Sequence, residues 1–300
     1  MNTTFANKAD VDRAYEPTAA PPQPESRIRF EVNVDRIGIL TFDRPDSAAN
    51  IFDRQTLEEL GEHLTAIELN PTLRGLVVGS AKKSIFIAGA DLNAIADTDD
   101  AAKLSNLIKL GQDTFNRLAE LPFPTVAAIH GACVGGGYEI CLACDMRVAT
   151  DDKGTKIGLP ETQLGILPAW GGSTRLPRLI GLPGALDMII AGKTVTAQKA
   201  HRIGMVDGVV PHEKLMETAH QWIMGGKYPP RGNRRPAHGK MTLFNNSLAG
   251  GLIERRVRPD LMRKTRGHYP ATTKALEVLV NGLKTTEARA MELEHNAIME

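Results

Sequence analysis

The sequence predicts an α/β fold, with helices packed on a mostly parallel sheet and a largely helical C-terminal region. Three observations predict it. From Arg27 onward short β-rich segments alternate with amphipathic helical ones, three consecutive glycines join a strand to a helix, and from about Thr196 the chain turns largely helical.

Residues 1–26 hold TAAPPQPES and few apolar side chains, so they cannot bury enough surface to offset the entropy of ordering and read as a flexible tail. RFEVNV and IGILTF, broken at Asp35-Arg36, have the pattern of a hairpin. Leu57, Leu60, Leu64 and Ile67 recur at helical spacing behind Asp53, which is placed to cap the helix start. RGLVVGS reads as a buried strand, DAAKLSNLIKLGQDTFNRLAEL as a second amphipathic helix ended near Pro122, and PTVAAIH as the next strand. These segments belong to a core expected over residues 27–222, with a helical appendage over 223–300. KYPPRGNRRPAHGK reads as a Pro- and Arg-rich connector crossing the surface.

Composition narrows the function classes. The 36 Lys and Arg nearly balance the 35 Asp and Glu, so the net charge of +1 creates no field to draw nucleic acid or an acidic membrane. No apolar run approaches the ~18 residues that span a bilayer, and the N-terminus shows no secretory or transit pattern, so a cytoplasmic protein is expected. The three cysteines, Cys133, Cys141 and Cys144, are an odd number, which favours reduced thiols over a disulfide framework. Cys141 and Cys144 form a CxxC inside the apolar YEICLACD, which reads as buried helix. The eight histidines lack HxxxH or HExxH spacing, so no metal site is expected.

Chemistry points first to Gly135-Gly136-Gly137, between strand PTVAAIH and a helix opening at Tyr138-Glu139. Consecutive glycines let the backbone approach a ligand closely and leave N–H groups at the positive end of the helix, where a developing oxyanion is stabilised. A tight turn with close helix–sheet packing is the bland alternative. A dinucleotide fingerprint fits poorly, because GxxxGGG is not GxGxxG. A second Gly turn, Ala88-Gly89-Ala90-Asp91, follows the apolar strand end SIFI and offers another N–H donor or a plain Asp-capped turn. Glu161, after Pro160 amid apolar residues, would have its pKa raised by partial burial and serve as acid or base; a first-turn Glu is its ordinary role.

In order and content these segments resemble the crotonase (enoyl-CoA hydratase/isomerase) family. The likeness runs from Asp43-Arg44-Pro45 with Asn50 through FIAGADLNAIA, HGACVGGGYEICLACDMRVAT and IGLPETQLGILPAWGGSTRLPRLIG to GKTVTAQKAHRIGMVDGVV. LIERRVRPDLMRKTRGHYPATTKALEVLVNGL and the longer loop ATDDKGTKIGLPE are similar to the hydratase portion of multifunctional β-oxidation α-subunits, here without the downstream dehydrogenase half.

The resemblance implies a crotonase-like (ClpP/crotonase) fold of repeated ββα units and an enoyl-CoA hydratase, with Δ3-to-Δ2 isomerisation as a plausible second activity. It places the catalytic pair on Glu139, for water, and Glu161, for the α-carbon proton. The oxyanion hole falls on the N–H groups of Ala88 and Gly136, and the acyl-CoA thioester contacts on Ala88, Gly89, Ala90, Asp91, Gly135 and Gly136. It implies no cofactor beyond the coenzyme A of the substrate. A homo-oligomer, trimer or hexamer, is the expected assembly, with a thiolase or dehydrogenase as a possible partner. Other readings are a different crotonase-fold acyl-CoA enzyme or a non-catalytic subunit of a β-oxidation complex. Trp170 stands where relatives have a small or different residue, so acyl-chain preference is not inferred.

Overall fold

The expected hairpin forms between β1 (Ile28–Val32) and β2 (Ile37–Phe42), which pair antiparallel. The computed structural model describes residues 26–45, 47–91, 100–225, 245, 247–266 and 268–300. The remaining strands are β3 (Gly75–Ser80), β4 (Ile85–Ile87), β5 (Thr125–Ile129), β6 (Ala132–Val134), β7 (Met146–Thr150), β8 (Lys156–Gly158), β9 (Thr194–Thr196) and β10 (Gly208–Val210). They form a six-stranded sheet in the order β1-β2-β3-β5-β7-β10, parallel from β2 onward, and a four-stranded sheet in the order β4-β6-β8-β9.

Each successive strand pair, β3/β4, β5/β6 and β7/β8, therefore passes from the larger sheet to the smaller one, which is the repeated ββα plan. Gly131 makes the second crossing at φ 61°, where a Cβ would meet the Ser84 carbonyl oxygen at 2.1 Å. Only glycine passes there without moving the backbone.

The first long helix is α1 (Arg54–Glu68), and Asp53 caps it by accepting the Thr56 N–H at 2.8 Å. Leu57, Leu60, Leu64 and Ile67 are fully buried beneath it. Each contributes about 2 kcal/mol of apolar burial. The second, α2 (Ala101–Glu120), starts at its cap Asp100 and stops just before Leu121-Pro122. Then come α3 (Gly136–Ala143), α4 (Gly172–Ile180), α5 (Leu182–Ile189), α6 (Ala197–Ile203) and α7 (Leu215–Met224).

The inner strands β3 and β5 of the larger sheet are buried on both faces because both are covered. Leu76, Val78, Ala127 and Ile129 face the main core, while Val77, Val126, Ala128 and Val148 meet Leu215, Ala219 and Ile223 of α7.

The C-terminal region is helical as expected: α8 (Ser247–Thr265), α9 (Pro270–Gly282) and α10 (Glu287–Met299). Of these, α9 packs on α4 and α10, and α10 packs on α2 and α4, so the last helices reach the centre of the molecule. The tail over residues 1–25, residues 92–99 after the Asp91 turn, and the connector with Arg231, Arg234, Arg235 and Lys240 lie outside the described residues. Cys133, Cys141 and Cys144 are buried free thiols, and among the described residues no helix is long and apolar enough to cross a membrane.

Candidate active site

The two glycine turns meet. At the end of β4 the chain turns through Gly89 at φ 100°, and an ideal Cβ on Gly89 would lie 3.4 Å from the Val134 carbonyl oxygen and 3.7 Å from the Gly136 nitrogen. At the end of β6 it turns through Gly135 at φ 56° into α3. Both positive φ values suit glycine alone. The turns form one wall of a cleft that opens to solvent.

Backbone bonding in these turns corrects one assignment. The Ala88 N–H donates to the Asn50 carbonyl oxygen at 2.8 Å, so it is already engaged. The reason is a short parallel bridge between Phe52 and Ala90: Phe52 N–H donates to Gly89 at 2.8 Å, and Asp91 N–H donates to Phe52 at 2.9 Å. That pattern turns the Ala90 N–H away from the bridge. Among the described residues neither the Ala90 nor the Gly136 N–H has a partner within the chain. Gly136, at the start of α3, keeps the free donor of a helix N-terminus.

Glu139 lies in the first turn of α3 and is buried at 2% exposure. Its Oε1 accepts two N–H bonds, from Trp170 at 2.8 Å and Gly172 at 2.7 Å. Burial, then the negative Glu161 and Glu294, push its carboxyl well above the ordinary range, while the Gly172 and Trp170 donors oppose that rise. Gly172 must be glycine, since a Cβ there would lie 2.8 Å from Glu139 Oε1 and equally close to Pro168.

Glu161 heads the 3-10 turn Glu161–Leu164, which follows β8, and is buried at 8% exposure. Its Oε1 packs against Gly135, where a Cβ would meet it at 3.0 Å. Its Oε2 has no partner and is buried. Burial raises its carboxyl to about 8, opposed by its own backbone N–H and assisted by the charge of Glu294. Both glutamates line the cleft with Ala88, Gly89, Ala90, Gly135 and Gly136, so the structure brings those expected residues together.

The rest of the cleft is apolar. Leu104, Leu107 and Ile108 come from α2, Ile298 from α10, and Trp170 from the loop before α4. Trp170 packs edge-on against Phe52 and Phe115, with ring centroids 5.6 and 5.8 Å away. Its Nε1 is buried without a partner. An apolar cleft with a few convergent polar groups at one end is the usual form of a small-molecule site.

Two features escaped sequence reasoning. One is the Trp170–Gly172 turn that grips Glu139 through backbone N–H groups, which no side-chain pattern reveals. The other is Glu294, fully buried on α10 beside Ala290 and Met291. A readable signal existed: Glu294 occupies an apolar position of the helical period that ends at Ile298. His130, next to Gly131, sets Nε2 2.5 Å from the Lys82 carbonyl oxygen and does not line the cleft.

Comparison with known proteins agrees with this geometry. Residues 33–225 match the family described as enoyl-CoA hydratase/isomerase. The chain is 40% identical over 267 residues to the fatty acid oxidation complex subunit alpha of Vibrio parahaemolyticus, covering 88% of this chain and 38% of that protein. The corresponding subunit of Vibrio vulnificus is 37% identical over 270 residues, covering 90% and 38%. The chain thus spans 38% of the length of these curated relatives. Among solved structures, an enoyl-CoA hydratase from Bacillus anthracis superposes with a TM-score of 0.63 at 28% identity, covering 91% of this chain and 89% of that one. Pseudomonas aeruginosa DspI superposes with a TM-score of 0.63 at 31% identity, covering 72% and 86%. The fold of crossed ββα units, the paired glycine turns and the family match agree: this chain belongs to the crotonase, or enoyl-CoA hydratase/isomerase, family.

Proposed function

We propose that the site hydrates 2-enoyl-CoA thioesters to 3-hydroxyacyl-CoA by syn addition of water, as a step of fatty-acid β-oxidation. The observation that carries this reading is the pair of buried glutamates, Glu139 and Glu161, facing one cleft beside two unpaired turn N–H groups. Those two donors, Ala90 and Gly136, hold the thioester oxygen. Water oxygen bonds to C3, the double-bond electrons move onto the thioester oxygen, and the two N–H groups stabilise that charge. One such donor is worth roughly 3 kcal/mol of barrier.

Glu139, oriented by the Trp170 and Gly172 N–H groups, takes the proton of the water from its ionised form. Glu161, protonated at neutral pH because its carboxyl titrates at about 8, gives its proton to C2 as the enolate collapses. The proton gained by one glutamate and lost by the other returns through solvent, which restores both. The relatives named as fatty acid oxidation complex subunits support the assignment to β-oxidation.

The same oxyanion donors and a single carboxylate suffice to move a double bond from C3 to C2, so isomerisation is the competing activity. Purified protein is assayed with crotonyl-CoA and, separately, with a 3-enoyl-CoA. Loss of the enone absorbance of crotonyl-CoA is the expected result. No loss at any of several chain lengths, with turnover of the 3-enoyl substrate, assigns the site to isomerisation instead.

A further inference from the structure

Three buried carboxylates, Glu139, Glu161 and Glu294, lie within electrostatic reach of one another, and hydration uses only two of them. Glu294 comes from α10, the last helix, and is wholly enclosed. Its Oε1 accepts the Gly171 N–H at 2.6 Å and the Gln112 amide at 3.3 Å; its Oε2 accepts the hydroxyls of Ser173 at 2.5 Å and Thr174 at 3.3 Å. All four partners donate, which suits an ionised carboxylate.

The donors alternate along the turn. Trp170 and Gly172 give their N–H groups to Glu139, and Gly171 between them gives its N–H to Glu294. Successive N–H groups thus face opposite carboxylates, and the turn is pinned from both sides. Gln112 ties the same point together by also donating to the Ala169 and Met291 carbonyls at 2.9 and 3.2 Å.

We propose that Glu294 is a positioning residue of the active site: by holding Gly171 it keeps the Trp170 and Gly172 N–H groups aimed at Glu139, so the C-terminal helix sets the geometry of the water-activating carboxylate. The roles given to Glu139 and Glu161 are those of the hydratase reading, on which this inference rests. The turn itself exists whatever the reaction.

Replacement by Ala leaves the Gly171 N–H and two hydroxyls without their acceptor. Replacement by Gln keeps the shape, since its oxygen still accepts from Gly171 and its amide donates to Ser173, but removes the charge. The charged groups facing Glu294 are Glu139, Glu161, Arg175 and Arg178. Burial lifts Glu139 well above the ordinary carboxylate range and Glu161 to about 8, and the negative Glu294 favours the protonated form of both. The basic limb of the E294Q pH profile therefore moves to lower pH.

The test compares E294A and E294Q with wild type in two ways. Steady-state crotonyl-CoA kinetics are expected to show kcat lowered at least about tenfold in E294A, because the base is displaced. KM stays within about twofold, and E294Q recovers much of the loss while showing the acidward limb. Hydrogen exchange of the peptide spanning residues 167–176 needs no turnover, and is expected to quicken in E294A while remaining near wild type in E294Q. Unchanged exchange in E294A, or in E294Q an unshifted limb if E294A does not fold, overturns the proposal. Absence of crotonyl-CoA turnover in wild type sinks the hydratase reading alone, because exchange still decides whether Glu294 holds the turn.

Discussion

The Ala88 N–H is bonded to the Asn50 carbonyl at 2.8 Å, and Asn50 is in turn fixed by its side chain. Its Nδ2 donates to the Phe42 carbonyl at 3.0 Å, Ser80 Oγ at 2.9 Å and the Phe86 carbonyl at 3.1 Å, while its Oδ1 accepts from Arg44 N–H at 2.9 Å. Asn50 is 2% exposed, so these groups have no water to fall back on. The Gly89 turn is therefore hung from one buried amide.

Asn50→Ala removes the side-chain acceptor of the Arg44 N–H and the amide donated to Ser80 Oγ and the Phe86 carbonyl, while the Phe42 carbonyl keeps the Ala81 N–H at 2.9 Å. It is expected to cost about 2–4 kcal/mol of stability through unsatisfied buried polar groups. Urea unfolding measures it: the midpoint drops while the slope stays that of wild type.

Gly89→Ala places a side chain on a residue at φ 100° and aims its Cβ into the gap between the two glycine turns. The Ala90 N–H is displaced, and kcat/KM falls about a hundredfold, the loss of roughly 3 kcal/mol that one oxyanion donor supplies. Kinetics with a thermal melt check this, since the proposed cause requires the rate to fall in protein that remains folded.

Glu161 gives a pH signature in stability as well as rate. Its carboxyl rises from 4.5 to about 8 on folding, so the folded state binds that proton more tightly than the unfolded chain. The contribution is full below pH 4.5 and is lost as pH rises through about 8. Glu161→Gln, with nothing to ionise, gains stability relative to wild type across that window, and the gain levels off above it. Chemical unfolding at a series of pH values checks the slope, and a pH-independent difference would contradict it.

Trp170→Phe removes an indole whose Nε1 has no partner, so it forfeits packing and no hydrogen bond. Stability should fall by less than about 2 kcal/mol, well below the roughly 3–5 kcal/mol of a Trp→Ala cavity. The wall of the cleft recedes beside Gly136, and KM for longer or branched 2-enoyl thioesters should decrease relative to crotonyl-CoA.

Patterns that repeat along the chain were legible. The buried strand Gly75–Ser80 and the α1 stripe of Leu57, Leu60, Leu64 and Ile67 appear where the sequence puts them, because burial acts on side chains. The glycine turns were legible as turns, since positive φ requires glycine. Backbone donors were not: whether Ala88 or Ala90 has a free N–H depends on the Phe52–Ala90 bridge, which joins residues far apart in sequence. Glu294 was missed for the same reason, because its partners lie 120–182 positions away.

The central claim is that Glu139 and Glu161 together perform hydration in this cleft. The direct measurement is the rate of crotonyl-CoA absorbance loss for wild type, Glu139→Gln and Glu161→Gln, with acyl-CoA binding followed by calorimetry on the same samples. Each variant is expected to lose at least about a hundredfold in kcat, consistent with removal of an acid or base, while binding the thioester as tightly as wild type. Turnover near the wild-type rate in both variants would contradict the account.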